Sequence, residues 1–241
     1  MMTPAASPYS QAMLDYWHGD ASAAYTIHRE DGFACPVPVA GAFATPPFSP
    51  LEQLALESCS GSILDVGAGV GRHSLALQER GRAVTALEVE PELVGVMSER
   101  GVTEAVEGSV FSLVGRQFDS MLMLMNGFGL VGTPVGAAAF FEHARHLLTP
   151  QGQILCDSLD VRQTVNPVHL AYQKTNLCQG RPAGQMRFWI EYRGQRGEAF
   201  DWLHLDFDSL RTLAQAHGVS AEMLTREESG NYLARLVYDD A

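Results

Sequence analysis

Apolar positions cluster in short runs along the chain, separated by stretches of mixed character. The sharpest run is residues 62–66, which breaks into glycines at 67, 69 and 71 and is followed by a helical stretch, residues 74–80, stopped by Gly81. That order predicts strand, turn and helix. Glycines permit positive φ and close ligand approach, and a helix N-terminus offers unpaired N–H groups. Residues 83–88 predict a second strand, and residues 92–100 a helix opened by Pro91 and ended by Gly101. Residues 103–106 predict a short third strand, and residues 118–125 a fourth that is apolar enough to be buried on both faces. A helix after Pro134 reaches Leu148, and Pro150-Gln151-Gly152 turns into a fifth strand, residues 153–157. Strands alternating with helices imply βαβ units and a parallel sheet, with ligands held at the carboxyl ends of its strands.

The flanks have a different texture. Residues 1–50 hold seven of the twelve prolines and many aromatics, among them Tyr9, Tyr16, Trp17, Tyr25, Phe33, Phe43 and Phe48. They predict an N-terminal cap segment with a short helix over residues 11–17, capped by Ser10, folded against a main domain of residues 51–241. A helix over residues 51–58 leads into the first strand. Residues 160–184 carry Pro167, Gly180, Pro182 and Gly184 and read as irregular, so residues 160–205 are expected to form an insertion or lid. Residues 187–192 and 198–205 read as strands around a Gly194–Gly197 turn, and residues 209–217 as a helix capped by Asp208. Residues 221–227 and 232–238 are strands joined by a turn tight enough for a hairpin, so the last strand is expected to run antiparallel.

Composition narrows the function classes. A chain of 241 residues with 46% hydrophobic and 18% charged residues is an ordinary globular protein with room for one sizeable α/β domain. A net charge of −12, with Lys174 as the one lysine, disfavours nucleic acid, whose backbone needs clustered Lys and Arg. There is no charged n-region followed by an apolar core and no apolar run long enough to cross a bilayer, so a cytoplasmic location and no membrane partner are expected. Cys35, Cys59, Cys156 and Cys178 are widely spaced, and His143 and His146 have no carboxylate or cysteine set at ligand spacing, so no metal is expected.

The glycine turn carries the chemistry. A dinucleotide turn wants G-x-G-x-x-G, and its third glycine would fall at position 72, which is Arg72. The run Asp65-Val66-Gly67-Ala68-Gly69-Val70-Gly71 instead follows G-x-G-x-G, with an acidic residue two positions before it, and so resembles the first motif of class I S-adenosylmethionine (SAM)-dependent methyltransferases. Three further features are similar to that family. Glu88 ends the second strand, Phe118-Asp119 opens an apolar fourth strand, and Leu147-Leu148-Thr149-Pro150-Gln151-Gly152 turns into the fifth. The resemblance covers residues 60–160. It implies a doubly wound, seven-stranded, mostly parallel α/β sheet of order 3-2-1-4-5-7-6 with the last strand antiparallel. It also implies SAM as cofactor and S-adenosylhomocysteine (SAH) as product.

The same resemblance implies a set of cofactor residues. Glu88 holds the ribose hydroxyls, since a carboxylate accepting two O–H bonds recognises a diol without a phosphate anchor. Gly67, Ala68, Gly69 and Gly71 form the turn. Asp65 accepts from the turn's N–H groups and orients the methionine ammonium. Ser109 stands where the family often has an acidic residue on the adenine amino group, with Val110 or Phe111 flanking the ring. His73 reads as a surface or packing residue. Methyl transfer rests mainly on alignment, and a base is needed only for a protonated acceptor. Asn126 and Asp157, at the ends of strands four and five, are the catalytic candidates, Asn126 also serving the cofactor. Asn126-Gly127-Phe128-Gly129 lacks the prolines of base- and glutamine-methylating enzymes, and Asp157-Ser158 lacks the acidic–amide pair of metal-assisted catechol methylation. Tyr16, Trp17, Tyr192 and Tyr232 are expected walls for a small-molecule acceptor. A nicotinamide-dependent oxidoreductase and a non-catalytic cofactor-binding subunit of the same fold are the alternatives.

Overall fold

The computed structural model describes residues 6–239; the first five residues of the N-terminal segment and the last two of the chain lie outside it. In chain order the N-terminal part comprises α1 (Pro8–Trp17), β1 (Ala24–Arg29), β2 (Ala34–Pro38), α2 (Ala40–Phe43) and α3 (Pro50–Ser58). The alternating part follows as β3 (Ser62–Val66), α4 (Arg72–Glu79), β4 (Ala83–Glu88), α5 (Pro91–Glu99), β5 (Ala105–Glu107), β6 (Phe118–Met123), a 3₁₀ turn (Gly127–Val131), α6 (Pro134–Leu147) and β7 (Leu148–Leu159). The chain ends with α7 (Pro167–Cys178), β8 (Gln185–Tyr192), β9 (Gln195–Arg196), β10 (Phe200–Leu203), α8 (Phe207–Gln215), β11 (Val219–Arg226) and β12 (Asn231–Tyr238).

The main sheet has seven strands in the order β5-β4-β3-β6-β7-β12-β11. Strands β3 to β7 pair in parallel, and β12 pairs antiparallel with both β7 and β11. This is the expected doubly wound sheet with its reversed last strand. Its two faces are covered separately. Leu64, Met121, Met123, Ile154 and Cys156 pack against α6 and α8, while Ile63, Leu122, Leu124 and Leu155 pack against α3 and α4. Burial on both faces explains why the Met121–Leu124 run carries no polar alternation.

The second sheet is antiparallel, ordered β10-β8-β1-β2 with β9 on β8. It joins the two flanks: β1, from the N-terminal segment, pairs residue for residue with β8, from the stretch beyond residue 160. Neither β1 nor β2 was expected, and Pro36 and Pro38 explain why β2 is masked. β2 is the outermost strand of the sheet, where a missing N–H leaves no ladder bond unmade. Helix α7 was masked likewise. Pro167 opens it, with the Asn166 side chain accepting from the Val168 amide. In fact α1, α3, α5, α6 and α7 all begin with proline, the first-turn position whose N–H has no partner to lose. Two caps also move. Ser7, not Ser10, caps α1, and Asp206, not Asp208, caps α8.

The two sheets meet at the 3₁₀ turn. A Cβ on Gly129 would lie 1.9 Å from the Trp202 indole nitrogen, so the ring lies against that backbone where a side chain would have to be.

Candidate active site

Parallel pairing of β3, β4, β6 and β7 brings their carboxyl ends to one edge of the main sheet, and the polar residues of the site collect there. The turn after β3 has positive φ at Gly67 (67°), Gly69 (56°) and Gly71 (79°). At two of these a Cβ would also run into a neighbouring side chain. A Cβ on Gly67 would come within 2.7 Å of Leu130, and one on Gly71 within 2.7 Å of Val102. Gly69 differs. The one described atom within 4 Å of its Cβ position is the Tyr9 hydroxyl, at 3.9 Å, so the space beside the middle glycine is open.

The turn is held from two sides. The Gly67 and Ala68 amides donate to the Leu87 carbonyl at 2.9 and 3.0 Å, tying it to β4. Glu88 ends that strand, buried, and accepts from the amides of Gly69 (2.8 Å), Val89 (2.7 Å) and Glu90 (3.2 Å). Burial raises its pKa, and those three donors oppose the rise. Asp65 is also buried, and burial pushes its pKa up. Its partner is the Ser74 hydroxyl at 2.6 Å, not the N–H groups of the turn, so it fastens α4 to β3.

The other half of the edge is built by β6 and β7. Met125 and Asn126 both adopt left-handed φ (63° and 61°), an uncommon conformation for side-chain-bearing residues and one that clusters at functional sites. Among the described residues the buried Asn126 Oδ1 has no hydrogen-bond partner. Asp157, next to it at the end of β7, accepts from the Gly127 amide at 2.9 Å. Burial pushes the Asp157 carboxyl up to about 6 against the pull of the Asn126 and Gly127 amides. Nearby, Glu52 of α3 meets His73 Nε2 at 2.9 Å and Arg72 at 2.9 Å. Burial alone would raise the Glu52 pKa; the bonds from His73 and the Ser49 amide, with the Arg72 charge, bring it down to about 2. His73 is thus a buried polar residue of this corner rather than a surface one.

On the β5 side, Ser109 closes a turn by accepting from the Phe111 amide at 3.2 Å. The Val110 side chain goes into the main core, which leaves Phe111 exposed at the edge.

The four aromatics expected as acceptor walls do not converge on this edge. Tyr16 stacks on Phe43 at 4.7 Å. Trp17 donates to Glu99 at 2.6 Å, at the far end of α5 from Glu88. Tyr192 is buried and donates to Asp15 at 2.8 Å, and Tyr232 is buried and donates to the Leu205 carbonyl at 2.8 Å. The polar tips of Trp17, Tyr192 and Tyr232 already have partners inside the protein, and the Tyr16 ring is stacked on Phe43, so all four are engaged in packing. The aromatic that does reach the cleft is Tyr9, with Tyr25 edge-on to it at 5.5 Å. Its place among the N-terminal rings was visible in the sequence, but no spacing marks it, because the contact with Gly69 spans sixty residues of chain.

A methyltransferase-domain family model matches residues 63–152. The chain is 34% identical to a SAM-dependent methyltransferase from Bacteroides fragilis crystallised with SAH, with a TM-score of 0.87, covering 99% of this chain and 98% of that one. Two more distant structures share the fold. They are the CcbJ methyltransferase of Streptomyces caelestis (13% identity, TM-score 0.60, 83% of this chain and 92% of that one) and DhpI with SAH (18%, 0.58, 97% and 94%). A comparison with curated protein sequences returns no match. The sheet order and the glycine turn define a Rossmann-like enzyme that takes a nucleoside cofactor at its carboxyl edge. The chain belongs to the class I SAM-dependent methyltransferases, and SAM is its cofactor. The oxidoreductase alternative is not favoured: position 72 holds an arginine committed to Glu52 and the Gly41 carbonyl.

Proposed function

We propose that the enzyme transfers the methyl group of SAM to a small-molecule acceptor. SAM supplies a methyl already activated on sulfur, open to in-line displacement, so the protein's task is alignment and exclusion of water. The observation that carries this reading is the pairing, on one edge, of the left-handed glycine turn bound to Glu88 with the strained Met125–Asn126 corner bound to Asp157.

On this reading Gly67, Ala68, Gly69 and Gly71 shape the cofactor cradle, and Asp65 keeps α4 in register with it through Ser74. Glu88 takes the ribose hydroxyls. Ser109 and the Val110 backbone, with the Phe111 ring, border the adenine. Asn126 supplies a buried, unpartnered Oδ1 at the edge of the site, and Asp157 faces the acceptor, where a pKa near 6 suits it to take a proton from a hydroxyl or ammonium acceptor. Residues 6–50 and 160–205, which share the antiparallel sheet, act as one cap over this edge. Support for a small acceptor comes from the net charge of −12, which repels a nucleic-acid backbone.

Calorimetric titration with SAM and SAH, repeated on Glu88→Ala, tests the cofactor half. Loss of the buried carboxylate should cost about 1.5–3 kcal/mol, roughly 10- to 150-fold in affinity. Unchanged binding would remove Glu88 from the ribose. For the acceptor half, Asp157→Asn should abolish the acid limb of the kcat profile with any acceptor that must lose a proton; unchanged turnover across pH would rule out the base role.

A further inference from the structure

The second sheet has two unlike faces. Its register puts Ile27 opposite Ile190, Arg29 opposite Phe188, and Phe188 opposite Phe200. Side chains alternate between faces along a strand, so Ile27, Phe188, Ile190, Phe200 and Trp202 share one face, with Tyr192 at one end of it and Arg29 at the other. The opposite face is polar. It carries the His28–Glu191 contact at 3.3 Å, the Arg187–Asp201 ion pair at 2.9 Å and Arg196 over the Trp189 ring at 4.1 Å. The apolar face turns inward and is covered at its ends. Tyr192 is buried with Met13 of α1 and with Leu93 and Val96 of α5. At the other end the buried Arg29 guanidinium lies 4.2 Å from the Tyr172 ring of α7. Between these two helices Ile27, Phe188, Ile190, Phe200 and Trp202 are half-buried. Among the described residues, none of the five belongs to a buried core or packs against one.

We propose that this face is the binding wall for the methyl acceptor, and that the acceptor is a small aromatic molecule bearing a hydroxyl or amine. The proposal rests on the small-molecule reading above and adds the chemistry of the acceptor's body. Position comes first. Trp202 ends the wall against Gly129, three residues beyond Asn126, and two residues past β10 the Leu205 amide donates to Ser158, the neighbour of Asp157, at 3.1 Å. The wall is therefore continuous with the corner that holds the candidate base. Half-buried side chains set between two helices admit a small molecule and no macromolecular surface. The rings then select its character. Phe188 and Phe200 are tilted at 6.2 Å, and Phe200 meets Trp202 edge-on at 6.3 Å, so both ring faces and ring edges line the wall. An aromatic body gains stacked and edge-to-face contacts there beyond the area it buries, whereas a saturated one gains area alone. The charged residue of this face, Arg29, is committed to Asp31 at 2.8 Å, which leaves the polar end of the acceptor to Asp157.

Binding is the readout, because phenols and alcohols differ in acidity and would differ in turnover on that ground alone. The full-length enzyme saturated with SAH is titrated calorimetrically with naphthol and with its ring-saturated counterpart, decahydronaphthol. Naphthol should bind about 10-fold more tightly. Phe200→Leu should weaken naphthol about 5- to 10-fold, with less than about 2-fold change for decahydronaphthol and for SAH itself. Phe188→Leu serves the same purpose if the first variant has a lowered urea midpoint. Trp189→Leu, an aromatic loss on the opposite face of the same sheet, should leave naphthol binding unchanged. Equal affinities for the two compounds overturn the aromatic preference, and binding of neither overturns the wall. Equal weakening by Trp189→Leu and Phe200→Leu overturns the assignment to this face. The small-molecule reading is judged separately, by transfer of tritiated methyl from SAM in an extract of the source cells. Label confined to macromolecules overturns that reading and the wall with it. Label in the low-mass fraction keeps the reading even where the naphthol titrations have removed the wall.

Discussion

At Asp157, burial and the backbone donors act in opposite senses, and burial wins. The ordinary pKa of 3.8 rises to about 6, so between those values the native state holds a proton that the unfolded chain releases. The stability this gives is fully present below about pH 4 and is lost as pH rises through 6. At neutral pH the buried ionised carboxylate costs about 3 kcal/mol relative to an unshifted one. Asp157→Asn keeps a carbonyl for the Gly127 amide and removes the charge. Its stability relative to wild type should improve by up to about 3 kcal/mol from pH 4 to pH 8, read from urea unfolding at each pH. A flat difference would mean that Asp157 titrates at its ordinary value. Met125 gives a second test at this scale. It is exposed and sits at a φ of 63°, so Met125→Gly and Met125→Ala lose the same surface contacts and differ in backbone strain. The glycine variant should be the more stable by about 1 kcal/mol, and equal stabilities would argue against strain there. The glycine turn and the strand ends that carry Glu88, Asn126 and Asp157 were legible in the sequence, because a turn and its flanking strands are local. Tyr9 and the Asp65–Ser74 bond were not, because they depend on which side chain reaches which backbone after the chain has closed.

Among elements, β10 and the 3₁₀ turn after β6 are the informative pair. Trp202 presses on Gly129, and Asp201 lies 3.4 Å from the Cβ position of Gly132, so the second sheet holds in place the segment that follows Asn126. Gly129→Ala should destabilise by about 1–3 kcal/mol through overpacking. Combined with Trp202→Ala it should cost markedly less than the sum of the single changes, since removing the ring removes the clash. Additive urea-unfolding energies would show that the two elements do not share this contact. The main sheet could be read from the sequence because each of its central strands is a buried apolar run followed by a helix or turn signal. In the second sheet β8 and β10 could be read as strands about a glycine turn, but β1, β2 and the pairing of β1 with β8 could not. Its strands mix exposed and half-buried positions, two of them come from a proline-rich segment, and the β1–β8 pairing that joins its two halves spans some 160 residues of sequence, as with Ile27 and Ile190. The lid expected at residues 160–205 turned out to contain α7 and three strands of that sheet.

Across the whole molecule, the N-terminal segment is joined to the main sheet on the cofactor side and to the second sheet on the other. Helix α1 contacts α5 through Ser10–Glu90 and Trp17–Glu99, and contacts β8 through Asp15–Tyr192. Few of its bonds to the main sheet are buried, so α1 is expected to open at lower free energy than the β7–β12 centre. A ligand that binds only the closed form stabilises it by RT ln(1 + [L]/Kd), about 2.7 kcal/mol at one hundred times Kd. If α1 is part of the cofactor site, saturating SAH should slow amide exchange across residues 8–17 and the glycine turn by up to about 100-fold. Exchange in the β11–β12 hairpin, at the opposite edge of the sheet, should change only where it requires global unfolding. Protection of the glycine turn without α1 would show that the helix packs beside the cleft without closing it. Access for the acceptor would then have to be sought between α3 and the Met125–Asn126 corner, on the side of the Glu52–His73 pair.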